Sequence, residues 1–435
     1  MRRTIGWRRD VRDRAKAVGG ALALAAAALS SSAGAACRNA PVRVLTISGS
    51  AVGREAEVLR RQLDRFRQEQ PSVAVALRPT PDAADLRHQL YVQWLNARAS
   101  DPDVLQLDVI WTAEFSAAGW LMPLERFRPD IDGFFASSVD AHRWNGALYA
   151  LPWFVDVGML YRRTDLVPDA PGDLDALARL ARRGMSRGPA YGLVWQGARY
   201  EGLVTVFLEH LGAFGGAIMD KQGRIVVDSD AAVNALTFMR DAVGSDGIVP
   251  VAALTWQEEQ TRFAFQNGQA VFMRNWPYAY SLVNDPAQSA VAGKVAVSAF
   301  PSAAGGAPTA ALGGSALAIN AFSEQPEEAY RLIEFLLRPQ QMLERAKVAG
   351  QLPPRADMYQ TPQLAAALKL PLQDVAAILN HAVPRPVTPV YSQLSELLQV
   401  SLHRALTHQQ EPRAALEDAA IRMRALLSRF KLTPS

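Results

Sequence analysis

VRVLTISGSAVGREAEVLRRQLDRFRQEQPSVAVAL (Val42–Leu77) carries two periodicities in one short run, and they set the fold class. Val42–Ile47 and Val73–Leu77 are rich in β-branched and apolar residues and read as strands. Between them, Val58, Leu59, Leu63 and Phe66 fall at helical spacing within Arg54–Glu69. Strand, helix, strand is a βαβ opening. A second amphipathic segment (Asp85–Ala99) and a buried-strand pattern (Asp103–Val109) repeat it. Strands alternating with helices imply a parallel, doubly wound α/β sheet, whose ligands bind beyond the carboxyl ends of the strands. Glu55, after the first strand, and Asp108, ending the third, are expected at that mouth. The same acids also suit a solvated first-turn position and a helix cap or ion pair.

Toward the N-terminus, residues 1–36 read as an export signal. Seven Arg and Lys precede an apolar Ala/Leu run (Ala17–Leu29), then small residues. The run is short for a membrane span and no later stretch supplies about 20 apolar residues. Cys37, the single cysteine, follows Ala33-Gly34-Ala35-Ala36, where a lipoprotein carries its lipidated residue. Gly34 departs from the usual lipobox, and Ala33-x-Ala35 suits ordinary cleavage, so a free form is favoured while a lipid anchor at Cys37 stays open. The formal charge of +4 resides largely in this segment. Seven of the 46 Lys and Arg and two of the 42 Asp and Glu precede residue 37, leaving −1 for the remainder. That balance gives no electrostatic case for nucleic acid.

Toward the C-terminus, about 399 residues follow the signal, which exceeds what one core usually supports. Tyr161–Pro301 repeats the helix and strand mixture, with a helix near Leu174–Arg183, a strand at Tyr191–Trp195 and a helix at Ala231–Val243. Leu312–Asn320 is another apolar strand, opened by Gly313-Gly314, and helices follow around Pro326–Leu337 and Gln340–Val348. A Pro-rich loop, Val383–Pro389, precedes a long amphipathic stretch to Phe430.

Catalysis finds no support in the spacing of residues. The six histidines are scattered, and His403 and His408 are five apart, which suits no i,i+4 metal pair. No phosphate loop, nucleophile elbow or dinucleotide fingerprint occurs. Asp108, Asp156 and Glu259 could converge as glycosidase-like carboxylates, which keeps an enzyme as the different-class alternative. Val271–Tyr280 (VFMRNWPYAY) points to binding: Pro277 breaks any helix through Trp276, so its indole is presented from a strand end or loop. A core Trp beside a turn would read the same way. Trp153, Trp195, Trp256, Tyr278 and Arg385, expected at loop positions together with the acids, make a mixture that holds neutral polyols. Carboxylates accept from hydroxyls, arginine donates, and aromatic faces cover C–H patches.

Five motifs in order, SDPDVLQLDVIW (Ser100–Trp111), ALPWFVDVGMLYRRTDL (Ala150–Leu166), GLVWQGARYEGLV (Gly192–Val204), FMRNWPYAY (Phe272–Tyr280) and AVPRPVTPVYSQLSE (Ala382–Glu396), resemble the trehalose/maltose-binding proteins of ABC sugar importers. These are family 1 extracellular solute-binding proteins. The resemblance implies a two-lobed α/β periplasmic-binding-protein fold of type II with hinge crossovers. Lobe 1 would comprise 41–156 and 312–358, and lobe 2 would comprise 157–311 and 359–435. It also implies a monomeric, cofactor-free, non-enzymatic chain in the periplasm or at the outer face of the inner membrane. Such a chain captures a sugar and delivers it to permease subunits served by a separate ATPase. By the same likeness Glu55, Asp108 and Asp156 contact sugar hydroxyls, Trp276 stacks, Gly314 gives a backbone contact and Arg385 is the VPRP arginine; Tyr278, Glu259 and Trp195 are further candidates. Ser315 and Phe154 stand where the most similar binders have Trp and Tyr, which leaves the sugar and its linkage open. A glycerol phosphodiester binder and a sensory receptor partner are further alternatives on the same fold.

Overall fold

A computed structural model describes residues 44–244, 247–303 and 306–430. The export signal and Cys37 lie outside the described residues. Among these, no helix is long and apolar enough to cross a membrane. The strands are, in chain order, β1 (Val44–Gly49), β2 (Ala74–Pro79), β3 (Val104–Asp108), β4 (Arg143–Trp144), β5 (Ala147–Leu148), β6 (Ala150–Val157), β7 (Met159–Arg163), β8 (Tyr191–Val194), β9 (Ala270–Asn275), β10 (Val295–Ser298), β11 (Ala310–Ile319) and β12 (Ala382–Val383).

The βαβ opening forms as its periodicity dictates. The helix Glu55–Glu69 buries Val58, Leu59, Leu63 and Phe66, the apolar positions of the sequence pattern. β1 is buried along its last five residues and pairs in parallel with β2 and β3. The expectation of a parallel sheet fails at β11. The first sheet runs β12-β11-β3-β1-β2, with β6 also on β11, and β11 is antiparallel to both β3 and β6. A second sheet, β10-β7-β9-β8, is likewise mixed, with only β8 and β9 parallel. The reason is connectivity: β6 and β11 enter the first sheet after long excursions elsewhere, so no local crossover helix fixes their direction.

β6 and β7 are separated by Gly158 alone, yet they belong to different sheets. The Gly158 amide donates to Ala311 O at 2.9 Å, which ties that step to the start of β11. A Cβ at Gly158 would lie 1.7 Å from Glu209 Oε1 and 2.6 Å from Arg274 Nη2, so a side chain here would have to displace both of those buried groups. The second sheet is covered by the helices Leu174–Met185, Glu201–Ala213, Asp230–Ala242, Tyr391–Leu406 and Pro412–Arg429, which share one apolar cluster. The last two replace the single amphipathic stretch read from sequence, because Pro412 starts a new helix at its first position.

Candidate functional site

Register, not sequence proximity, assembles the site. Along β11, Ser315 stands opposite Asp108 of β3 on one side and Phe154 of β6 on the other, and Gly313 stands opposite Asp156. A bulge between Ser315 and Ala316 interrupts the ladder there. Gly314 has φ +137° and a Cβ on it would lie 2.5 Å from Phe154 O, so this position requires glycine. A cavity of about 760 Å³, its open mouth included, lies over this junction. Its lining includes Glu55, Asp108, Asp156, Trp276, Tyr278, Gly314 and Arg385.

The cavity is acid-rich. Among the described residues Glu55, Asp82, Asp108, Asp156, Glu201 and Glu258 line it, against the cations Arg87 and Arg385. Glu55 stands in the first turn of its helix and accepts from Ser50 Oγ at 2.6 Å and Gln351 Nε2 at 2.8 Å. Asp108 Oδ1 accepts from Arg385 Nη2 at 3.0 Å, and Arg385 Nη1 donates to Glu201 Oε1 at 2.9 Å. Burial opposes the charge on Arg385, but Asp108 and Glu201 outweigh it and hold the guanidinium protonated. Glu201 also accepts from Tyr391 Oη at 2.8 Å. Burial nevertheless raises its carboxyl above the usual range, against the pull of Arg385.

Asp156 differs from these. Its Oδ1 is buried and has no hydrogen-bond partner. Burial, then the nearby Glu55 and Asp108, push its carboxyl well above the usual range, with Arg345 and Arg274 opposing. A buried acceptor left unpaired costs about 1–3 kcal/mol unless something else satisfies it. An incoming hydroxyl donor would do so.

Trp276 sits between the end of β9 and the short helix Tyr278–Val283, with Pro277 at the helix cap. Its carbonyl accepts from Tyr161 Oη at 2.6 Å and its amide donates to Asn275 Oδ1 at 2.8 Å. The Arg274 guanidinium covers one face of the indole at 4.0 Å from a ring centroid. Tyr278 lines the cavity, but its hydroxyl donates to Glu259 Oε1 at 2.7 Å.

Four sequence candidates, Trp153, Trp195, Trp256 and Glu259, do not line the cavity. Trp195 is fully buried, edge-on to His210 at 5.2 Å within the apolar cluster of the second sheet. Glu259 points to Arg262 and Tyr278, while its neighbour Glu258 lines the cavity and is half-buried. Adjacent helix positions differ by about 100°, so only one of the two acids can face inward. Burial raises the Glu258 carboxyl, with Tyr200 and Arg274 opposing. Trp153, read as a loop aromatic, lies inside β6 beneath Arg345. Sequence reasoning missed Ser50, Gln106, Glu201, Glu258 and Gln351. Of these, Gln106 and Glu201 had a signal, lying within the motifs Ser100–Trp111 and Gly192–Val204. No group of three or more His, Cys, Asp or Glu among the described residues could hold a metal ion.

The profile of the bacterial extracellular solute-binding proteins matches residues 63–343. A probable ABC transporter-binding protein of Deinococcus radiodurans is 34% identical over 399 residues, covering 88% of this chain and 93% of that one. Maltose-bound MalE3 of T. maritima is 42% identical, with a TM-score of 0.84, and the match covers 88% of this chain and all of that one. A tagatose-bound solute-binding protein of Thermotoga lettingae, at 24% identity and TM-score 0.79, shares the fold, and the match covers 88% of this chain and all of that one. The architecture is the two-lobed α/β fold of periplasmic binding proteins. With a family profile across more than half its length and these relatives matched over most of theirs, the chain belongs to the bacterial extracellular solute-binding proteins and is a binding protein, not an enzyme.

Proposed function

We propose that this chain is the extracytoplasmic binding component of an ABC importer, and that it captures a neutral disaccharide of the trehalose or maltose type. The observation that carries the reading is the buried, unpartnered Asp156 Oδ1 in a cavity that also presents Trp276 and five further carboxylates. Acceptors in excess suit a ligand with many hydroxyl donors, and an aromatic wall suits a sugar's C–H face. Glu55, Asp108, Asp156, Glu201 and Glu258 would accept, Arg385 would donate, Trp276 would stack, and Gly314 would allow close backbone approach. Tyr278 would contribute its ring. The maltose bound to the T. maritima relative supports the class. Phe154 and Ser315 both line the cavity and would set which sugar and linkage fit.

The two sheets would be the cores of two lobes, 41–156 with 312–358 and 157–311 with 359–435, with crossings at Gly158, near Gly313 and after Met358. Residues 1–36 would direct export, with Cys37 free or lipid-anchored, and the closed monomer would present the sugar to permease subunits coupled to a separate ATPase. A glycerol phosphodiester is disfavoured, since six acids against two arginines repel an anion. Calorimetric titration of the chain lacking residues 1–37 with maltose, trehalose, sucrose and glycerophosphocholine tests the proposal. Binding of one disaccharide supports it. Silence from all three sugars sinks the disaccharide assignment, and turnover of any of them on long incubation would contradict a pure binding role.

A further inference from the structure

Beneath the cavity wall lies a buried ion pair whose guanidinium covers the indole face of Trp276. Arg274 and Glu209 have side-chain exposures of 0% and 1%. Arg274 Nε donates to Glu209 Oε2 at 2.9 Å and Nη2 to Oε1 at 2.7 Å, while Nη1 donates to Gln196 Oε1 at 3.1 Å. Gln196 closes the loop by donating to Arg274 O at 3.1 Å. Glu209 Oε1 also accepts the Ala311 amide at 3.1 Å, and Ala311 O accepts the Gly158 amide. One carboxylate therefore links the β9 arginine, the start of β11 and the step between β6 and β7.

We propose that Arg274 is a positioning residue, clamped by Glu209 and Gln196 so that it holds the Trp276 indole in place and couples it to the strand crossovers at Gly158 and Ala311. The proposal rests on the reading that Trp276 lines the ligand site. Burying an ion pair is a poor route to stability, because desolvation offsets the attraction and apolar residues of similar volume often serve as well. A planar, always-charged fork does supply geometry: its N–H groups are committed at the rim while the flat face covers the ring. The indole edge is also close to Gly313, where an added Cβ would lie 3.2 Å from Trp276 Cζ3. The ring is thus bounded by Arg274 and by the glycine of β11.

A double-mutant cycle on Arg274→Lys and Trp276→Phe tests this, with maltose titrated by calorimetry. Arg274→Lys should weaken maltose binding about tenfold in the parent and less than threefold with Trp276→Phe present. Equal losses in both backgrounds, or none in the parent, overturn the proposal. A second measurement needs no sugar: the emission difference between each chain and its Trp276→Phe counterpart isolates this indole. Arg274→Lys should make that difference signal more accessible to acrylamide, and an unchanged quenching constant overturns the proposal. Should the parent not bind maltose, trehalose or sucrose takes its place in the cycle; if none of the three binds, the sugar reading is what fails, and quenching still decides the role of Arg274. If Arg274→Lys does not fold, Glu209→Gln with Arg274→Met removes both charges and takes its place in both measurements.

Discussion

At the scale of single residues, the site divides into groups already satisfied and groups that await a partner. Glu55, Asp108 and Glu201 are each held by donors from the protein, whereas Asp156 Oδ1 is not. Replacing Asp156 by Asn should weaken sugar binding by roughly 2- to 10-fold, because a net hydrogen bond is worth about 0.5–1.5 kcal/mol. The same change should affect stability in a pH-dependent direction. The Asp156 carboxyl titrates above its unfolded value, so the folded chain binds this proton more tightly, and the parent loses stability as pH rises through the folded pKa. Asn cannot ionise. The ligand-free variant should therefore gain on the parent as pH rises above about 4, as followed by thermal unfolding up to neutral pH. A constant difference across that range would remove Asp156 as a buried titrating group. Trp276→Ala is expected to weaken binding about tenfold or more with the fold retained. Unchanged affinity in calorimetry would take the indole out of the site. Trp276 was legible from sequence because Pro277 marks the strand end; Glu258 was not, since neighbouring acids on a helix look alike until the helix is oriented.

At the scale of elements, local periodicity was legible and partner direction was not. The helix Glu55–Glu69 and strands β1 to β3 follow their apolar spacing closely, as do the helices Leu174–Met185 and Asp230–Ala242. β11 read correctly as an apolar strand, yet its antiparallel pairing to β3 and β6 depends on segments far away in sequence. The site sits on that non-local junction, which is why sequence supplied candidate residues without their neighbours. The start of the helix Glu201–Ala213 shows the same dependence. Its cap residue Tyr200 provides no side-chain acceptor, and the Glu201 amide instead donates to Asp85 Oδ1 at 3.1 Å. Asp85 Oδ2 accepts from Gln399 Nε2 at 3.0 Å. Asp85→Ala should cost about 0.5–2 kcal/mol, the usual range for losing a helix cap. Denaturant unfolding measures it, and a loss below about 0.3 kcal/mol would mean that solvent replaces the cap without penalty.

At the scale of the whole molecule, several polar contacts join the segments proposed as lobe 1 to those proposed as lobe 2. They include Asp108 with Arg385, Asp85 with Glu201 and Gln399, Arg54 with Asp285 at 3.3 Å, and Glu114 with Ser392 at 2.6 Å. A ligand shifts an equilibrium between open and closed forms only by its differential affinity for the two. Any contact made only on closure therefore adds to apparent affinity even when it never touches the sugar. Ser392 offers a case outside the cavity, since it donates to Glu114 Oε2 and lies 3.2 Å from His88 Nε2, which also meets Glu114 Oε2 at 3.0 Å. A net hydrogen bond is worth about 0.5–1.5 kcal/mol, so Ser392→Ala should weaken sugar binding by roughly 2- to 10-fold. The same variant should raise the radius of gyration of the sugar-free chain in small-angle scattering, while saturating sugar returns it to the parent value. Weaker binding without any change in radius would place the effect in local packing. If neither quantity moves, the Glu114–Ser392 contact carries no part of the closing free energy, and the bias toward closure rests on the remaining contacts, Asp108 with Arg385, Asp85 with Glu201 and Gln399, and Arg54 with Asp285.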